Sequence, residues 1–246
     1  MSDWNWQLLV GCSLMILSGV LYYLQIIIFD NVRDTLFYLL QDLAFMPVQI
    51  LLVTLLVNQL LSMREKRVML KKMNMVIGVF FSEIGIDLLK TCCDFDHHSD
   101  QLKKSMMIDA EWSTQKFRHA YQVLQKHDYK IDGQKGDLTK IRDYLLSKRQ
   151  FLLGLLENPN LLEHDSFTEL LWAVFHLAEE LAHRESVEDL SISDYGHIAG
   201  DIERVYGLVI YEWLAYMQHL QKDYPYLFSL AMRKNPFNDH PETIVK

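Results

Sequence analysis

The stretch WNWQLLVGCSLMILSGVLYYLQIIIF, Trp4 to Phe29, runs for 26 residues without a charge. At 1.5 Å per helical residue, about 20 residues cross the hydrocarbon core of a bilayer, so residues 6–29 read as a spanning helix. A short polar turn follows, Asp30-Asn31-Val32-Arg33-Asp34, and then TLFYLLQDLAFMPVQILLVTLLVNQLLSM, Thr35 to Met63, in which Asp42 is the single charge. The second stretch gives a span over 35–62, and residues 1–63 together form a transmembrane hairpin. Aromatic rings at Trp4, Trp6, Tyr22, Tyr23, Phe37 and Tyr38 stand near the depths where amphipathic rings prefer to lie. A cleaved signal peptide is excluded by the missing basic n-region and by the length of the apolar run.

The chain changes character at residue 63. Residues 1–62 hold only Asp3, Asp30, Arg33, Asp34 and Asp42 as charged side chains; 23 of the 24 basic and 28 of the 32 acidic residues belong to 63–246, a net charge of −5. Immediately after the second span, MREKRVMLKK (63–72) carries five basic residues, Arg64, Lys66, Arg67, Lys71 and Lys72, against one acidic residue. This collar puts the following domain in the cytoplasm by the positive-inside rule and offers a contact for anionic lipid. The expected location is a bacterial-type inner (plasma) membrane, crossed twice, with both termini cytoplasmic.

Polar groups inside the spans attract attention because they are costly in hydrocarbon. Asp42 and Gln49 lie seven residues apart on one face of the second helix, with Pro47 between them. In a ring of subunits this face lines a pore with Asp42 near its mouth; within a hairpin or dimer the same residues join helices.

Residues 64–233 read as a cytoplasmic helical domain and 234–246 as a polar tail. Apolar residues recur at three- and four-residue steps. They give a helix continuing from the second span to about Thr91, then helices over about 100–127 and 137–157. A fourth covers 167–184 behind a Ser166-x-x-Glu169 capping box, a fifth runs from Asp194 to the Tyr224-Pro225 break, and a short one covers 226–233. No segment alternates with period two. The fold class is therefore all-α: a two-helix transmembrane hairpin followed by a helical bundle.

Two clusters carry candidate chemistry. His176, Glu180 and His183 share one face of the fourth helix; His197 and Asp201 stand four apart on the fifth, and Glu83 and Asp87 four apart on the first. Imidazoles and carboxylates at these spacings suit a divalent metal, although the second Glu-x-x-His of a di-iron bundle is missing, and the same residues trace the polar side of an amphipathic helix. The run Cys92-Cys93-Asp94-Phe95-Asp96-His97-His98 reads as an exposed turn, since adjacent cysteines strain a tetrahedral chelate. Phosphate loops, nucleophile elbows and zincin motifs are absent, and the acidic balance disfavours nucleic acid.

These features favour a non-catalytic interaction or sensory module held at the bilayer. It would be oligomeric or partnered through its cytoplasmic helices, with no cofactor defined beyond a divalent metal. A homo-oligomeric cation channel and a membrane-bound His/carboxylate metalloprotein are the alternatives.

Overall fold

A computed structural model describes residues 3–29, 31–159, 161 and 164–238. Every regular element among them is a helix; one isolated antiparallel bridge joins Asp96 to Ile131. Two compact units are present, Met1–Lys66 and Arg67–Lys246.

The first unit contains α1 (Asp3–Phe29) and the beginning of α2 (Val32–Phe80). Both include stretches long and apolar enough to cross a membrane, Gly11–Ile28 and Val32–Lys66, whose apolar side chains stand largely exposed. The polar turn acts as a helix start: Asn31 Oδ1 accepts from the Asp34 amide at 3.1 Å, and the Thr35 hydroxyl donates to the Asn31 carbonyl. Farther along, the Tyr22 hydroxyl donates to Asp42 Oδ2 at 3.2 Å, which ties α1 to α2 inside this unit.

The second unit takes in the end of α2, a π-helical turn (Phe81–Gly85), α3 (Ile86–Cys93), α4 (Ser99–Ser105), α5 (Thr114–Lys126), α6 (Leu138–Leu156), α7 (Asp165–Ala182), α8 (Ile192–Asp223) and α9 (Pro225–Arg233). α8 is the central element. Ile198, Ile202, Val205, Val209, Trp213 and Met217 recur along it and are buried, and it packs against α3, α5, α7, α9 and the π turn. Pro225 occupies the first turn of α9, where its missing amide costs nothing. The extra residue of the π turn brings Phe80 and Phe81 into the core together. Gly85 makes room for both, because a Cβ there would strike the Phe81 ring, which stacks on Tyr216 at 5.2 Å.

Three expectations are corrected. The helix expected over 100–127 is two, because Asp109 Oδ1 accepts from the Glu111 amide in a tight turn and Ser113 caps α5. The expected Ser166 cap lies inside the first turn of α7; His164 Nδ1 accepts from the Phe167 amide at 3.3 Å and caps the helix instead. The start of the supposed polar tail is docked. Asn235 and Phe237 are buried, Asn235 Nδ2 donates to the Met106 carbonyl at 2.9 Å, and the Phe237 ring meets Trp213 at 5.2 Å. Residues 239–246 lie outside the described part.

Candidate functional site

α7 supplies His176 and Glu180 one turn apart, and α8 supplies His197 and Asp201 at the same spacing; the two helices pack together and bring all four to one place. His176 Nε2 lies 3.6 Å from Asp201 Oδ2 and 3.9 Å from Glu180 Oε1. His197 Nε2 lies 3.5 Å from Asp201 Oδ2 and 3.6 Å from Glu180 Oε2. Each imidazole therefore faces both carboxylates through its Nε2. The Asp201 side chain is only 5 % exposed, and its Oδ2 has no hydrogen-bond partner.

Arginines fix the carboxylates from behind. Arg184 Nη1 donates to Glu180 Oε2 at 2.8 Å, while its Nε and Nη2 grip Asp194 at 3.1 and 2.7 Å. Arg204 Nη1 approaches Asp201 Oδ1 at 3.3 Å and leaves Oδ2 free. The bonds from Arg184 hold the Glu180 and Asp194 carboxyls below their usual range, so both remain ionised well into acid. Such a cluster can hold a cation or pass a proton. As the side chains stand, no group of three or more His, Cys, Asp or Glu among the described residues is closed up enough to hold a metal ion.

The other expected site residues lie elsewhere. His183 ends α7, where its Nδ1 donates to the Glu179 carbonyl at 2.8 Å. Glu83 sits in the π turn and accepts from Lys148 Nζ at 3.2 Å. Gln49 is exposed on the first unit, as are Arg64 and Lys66; Lys72 is exposed on the second, and the side chains of Arg67 and Lys71 lie outside the described part.

The cysteine-rich run is not an exposed turn. Cys92, Cys93, Phe95 and Asp96 are buried. Burial pushes both thiols up, Cys93 to about 11, so they stay protonated at neutral pH and are poor nucleophiles and metal ligands. Asp96 is the centre of a latch: its Oδ2 meets His127 Nε2 at 2.9 Å and its Oδ1 accepts from the His98 amide at 2.8 Å.

Two features escaped the sequence reading. The first is a cavity of about 510 Å³ beside the π turn, lined by Phe81, Trp213, Tyr216 and Leu227 and by the charged Asp87, Lys90 and Lys234. Its two lysines are 144 positions apart in the chain, so no local motif announces it. The second is Glu212, buried on α8 with one oxygen unpartnered. Desolvation raises its carboxyl above the ordinary value near 4.5, although Ser166 and His164 oppose this. A raised folded value means that its contribution is full below about pH 4.5 and is lost as pH rises through the folded value. Glu212→Gln is accordingly expected to raise the melting temperature at pH 7, a gain on the order of 1 kcal/mol, and to do nothing near pH 4. Melting curves at the two pH values check it, and equal effects at both would contradict the assignment.

Family models described as the C-terminal helical domain of uncharacterised protein MJ1433 and the N-terminal helical domain of MJ1433 match residues 69–233 and 2–61. The uncharacterised protein MJ1433 of Methanocaldococcus jannaschii is 43% identical over 239 residues, covering 97% of this chain and 96% of the relative. No solved structure matches.

Proposed function

The chain belongs to the family of the uncharacterised protein MJ1433, matched in both helical domains, and from that premise we propose a membrane-anchored, non-catalytic sensory or interaction module. In this reading α1 and the first part of α2 cross the plasma membrane as a hairpin, and the second unit works at the cytoplasmic face, oligomeric or with a protein partner. One observation carries it: the stretches Gly11–Ile28 and Val32–Lys66 leave their apolar side chains uncovered. An apolar surface of this extent needs lipid or protein to cover it. The basic residues after Met63 supply the orientation. The cavity beside the π turn, mostly apolar with Lys90, Lys234 and Asp87 among its lining, gives the module a seat for a small amphipathic ligand. Asp42 receives the Tyr22 hydroxyl, which supports an interhelical role for it over a pore-lining one.

Topology labelling tests the proposal on the full chain with Cys12 replaced by serine. Cys92 and Cys93 are buried and protonated, so the background is low. A membrane-impermeant maleimide applied to intact cells should label Asn31→Cys, while Glu188→Cys reacts only after permeabilisation; both positions are exposed. Release of the protein into the soluble fraction, or labelling of both sites from outside, would overturn the reading.

A further inference from the structure

We propose that His176, Glu180, His197 and Asp201 form a binding site for one divalent transition-metal cation of the zinc class. The inference is independent of membrane anchoring. Its first support is spacing. Of the other His–carboxylate pairs in this unit, the two with a largely buried histidine are collapsed, His127 Nε2 to Asp96 Oδ2 and His219 Nδ1 to Asp223 Oδ2, both at 2.9 Å, while the exposed pairs His97–Asp132 and His98–Asp128 stand at 3.3 and 3.9 Å. The four separations here are 3.5, 3.6, 3.6 and 3.9 Å, beyond a direct hydrogen bond. Donors about 2.1 Å from a tetrahedral metal stand about 3.4 Å apart. Closing onto an ion held by Glu180 Oε1 and Asp201 Oδ2 thus requires the three separations to those atoms, 3.5, 3.6 and 3.9 Å, to shrink by only about 0.1–0.5 Å. The imidazoles, with side chains 48 % and 52 % exposed, are free to make that adjustment.

The second support is Asp201 Oδ2, buried, unpartnered and aimed between two Nε2 atoms. A buried carboxylate oxygen left without a donor is costly, and a cation at this point resolves that cost. Orientation is already provided. Arg184 and Arg204 hold the two carboxylates as outer-shell partners do in metal sites, and Arg184 is itself anchored by Asp194. Because Arg184 occupies Glu180 Oε2, the ion takes Oε1 from Glu180 and has His176, His197 and Asp201 as its firmest ligands. Two imidazoles with two carboxylates favour zinc, iron or manganese over calcium, which takes oxygen alone.

The experiment titrates Zn²⁺, and separately Ca²⁺, into chelator-treated full-length protein in detergent, with a chromophoric competitor reporting the free ion. One equivalent of Zn²⁺ per chain should bind and raise the melting temperature, with no response to Ca²⁺. Asp201→Asn and His176→Ala should each weaken binding by about 100-fold or more, at or beyond the upper end of what outer-shell changes cost. His183→Ala, outside the site, should leave it unchanged. Circular dichroism confirms that the variants fold. The substituted helix positions at His176 and His197 are half exposed, so a His197→Ala variant keeps the test open should Asp201→Asn unfold. Absence of stoichiometric Zn²⁺ binding, or affinity that survives His176→Ala and His197→Ala, overturns the proposal.

Discussion

Asp96→Asn is expected to destabilise the C-terminal unit by about 3–5 kcal/mol, the cost of breaking a buried carboxylate–imidazole pair by changing one partner. His127 and Asp96 have side chains 3 % and 0 % exposed, so neither finds water when the other is changed. The pair also organises its surroundings. The Asp96 carbonyl accepts from Lys135 Nζ, its Oδ1 from the His98 amide, and Asp96 bridges to Ile131. In the variant the amide keeps the hydrogen bond from His98 but leaves His127 without an anion. For a unit of this size the shift corresponds to a melting temperature lower by about 10 °C or more. Chemical unfolding of full-length protein measures it. His127→Ala should cost a similar amount, and the double variant far less than the sum, since the second change removes the orphan left by the first. A loss below about 1 kcal/mol for Asp96→Asn would mean that the amide serves His127 as well as the carboxylate does.

Trp213→Ala is expected to cost about 3–5 kcal/mol, in the range for deleting a buried aromatic ring from a core. Trp213 is 1 % exposed near the middle of α8, against the Phe237 ring on one side and the cavity by the π turn on another. Removing the indole merges its volume with that cavity, so the site cannot collapse easily. The loss should also be felt at a distance in sequence. Phe237 loses its ring partner, and the docked segment Asn235–Phe237 should open to trypsin at the exposed Lys234. Trp213→Phe, which keeps a ring, should cost markedly less. Unfolding midpoints together with the cleavage rate after Lys234 distinguish a local loosening from a general one; unchanged cleavage in Trp213→Ala would show that Asn235 alone holds the segment.

The helices were legible because their apolar periodicity is an equilibrium property of each segment, visible without neighbours. Ile198, Ile202, Val205 and Val209 mark the buried face of α8 as plainly as Asp137 marks the start of α6. What stayed hidden depends on partners far away in sequence. Cys92 to Asp96 looks polar enough for a surface, yet Tyr206, 113 positions beyond Cys93, and His127 cover it. The gap between α4 and α5 rests on a side-chain turn at Asp109, and the docking of Phe237 rests on Trp213. The same distinction divides the candidate site. Spacing of four along α7 and α8 named His176, Glu180, His197 and Asp201. It could not separate them from His183, which is taken by a backbone carbonyl at its helix end, or from Glu83, which is taken by Lys148. Arg184 and Arg204 carry no signature until the helices are packed.

The docked Asn235 has a consequence for the order in which the molecule takes shape. Its amide reaches Met106 across 129 residues, as Asn74 reaches His219 across 145 and Cys93 reaches Tyr206 across 113. Helical bundles built from neighbours in sequence fold fast, because short loops close at little entropic cost. Here the first helices of the unit are held by α8 and by the segment beyond α9. The early helices must wait, half-buried in nothing, until α8 and the segment beyond it have been synthesised, and during that interval Phe80, Phe81 and Phe95 stand open to any chaperone or neighbouring chain that meets them.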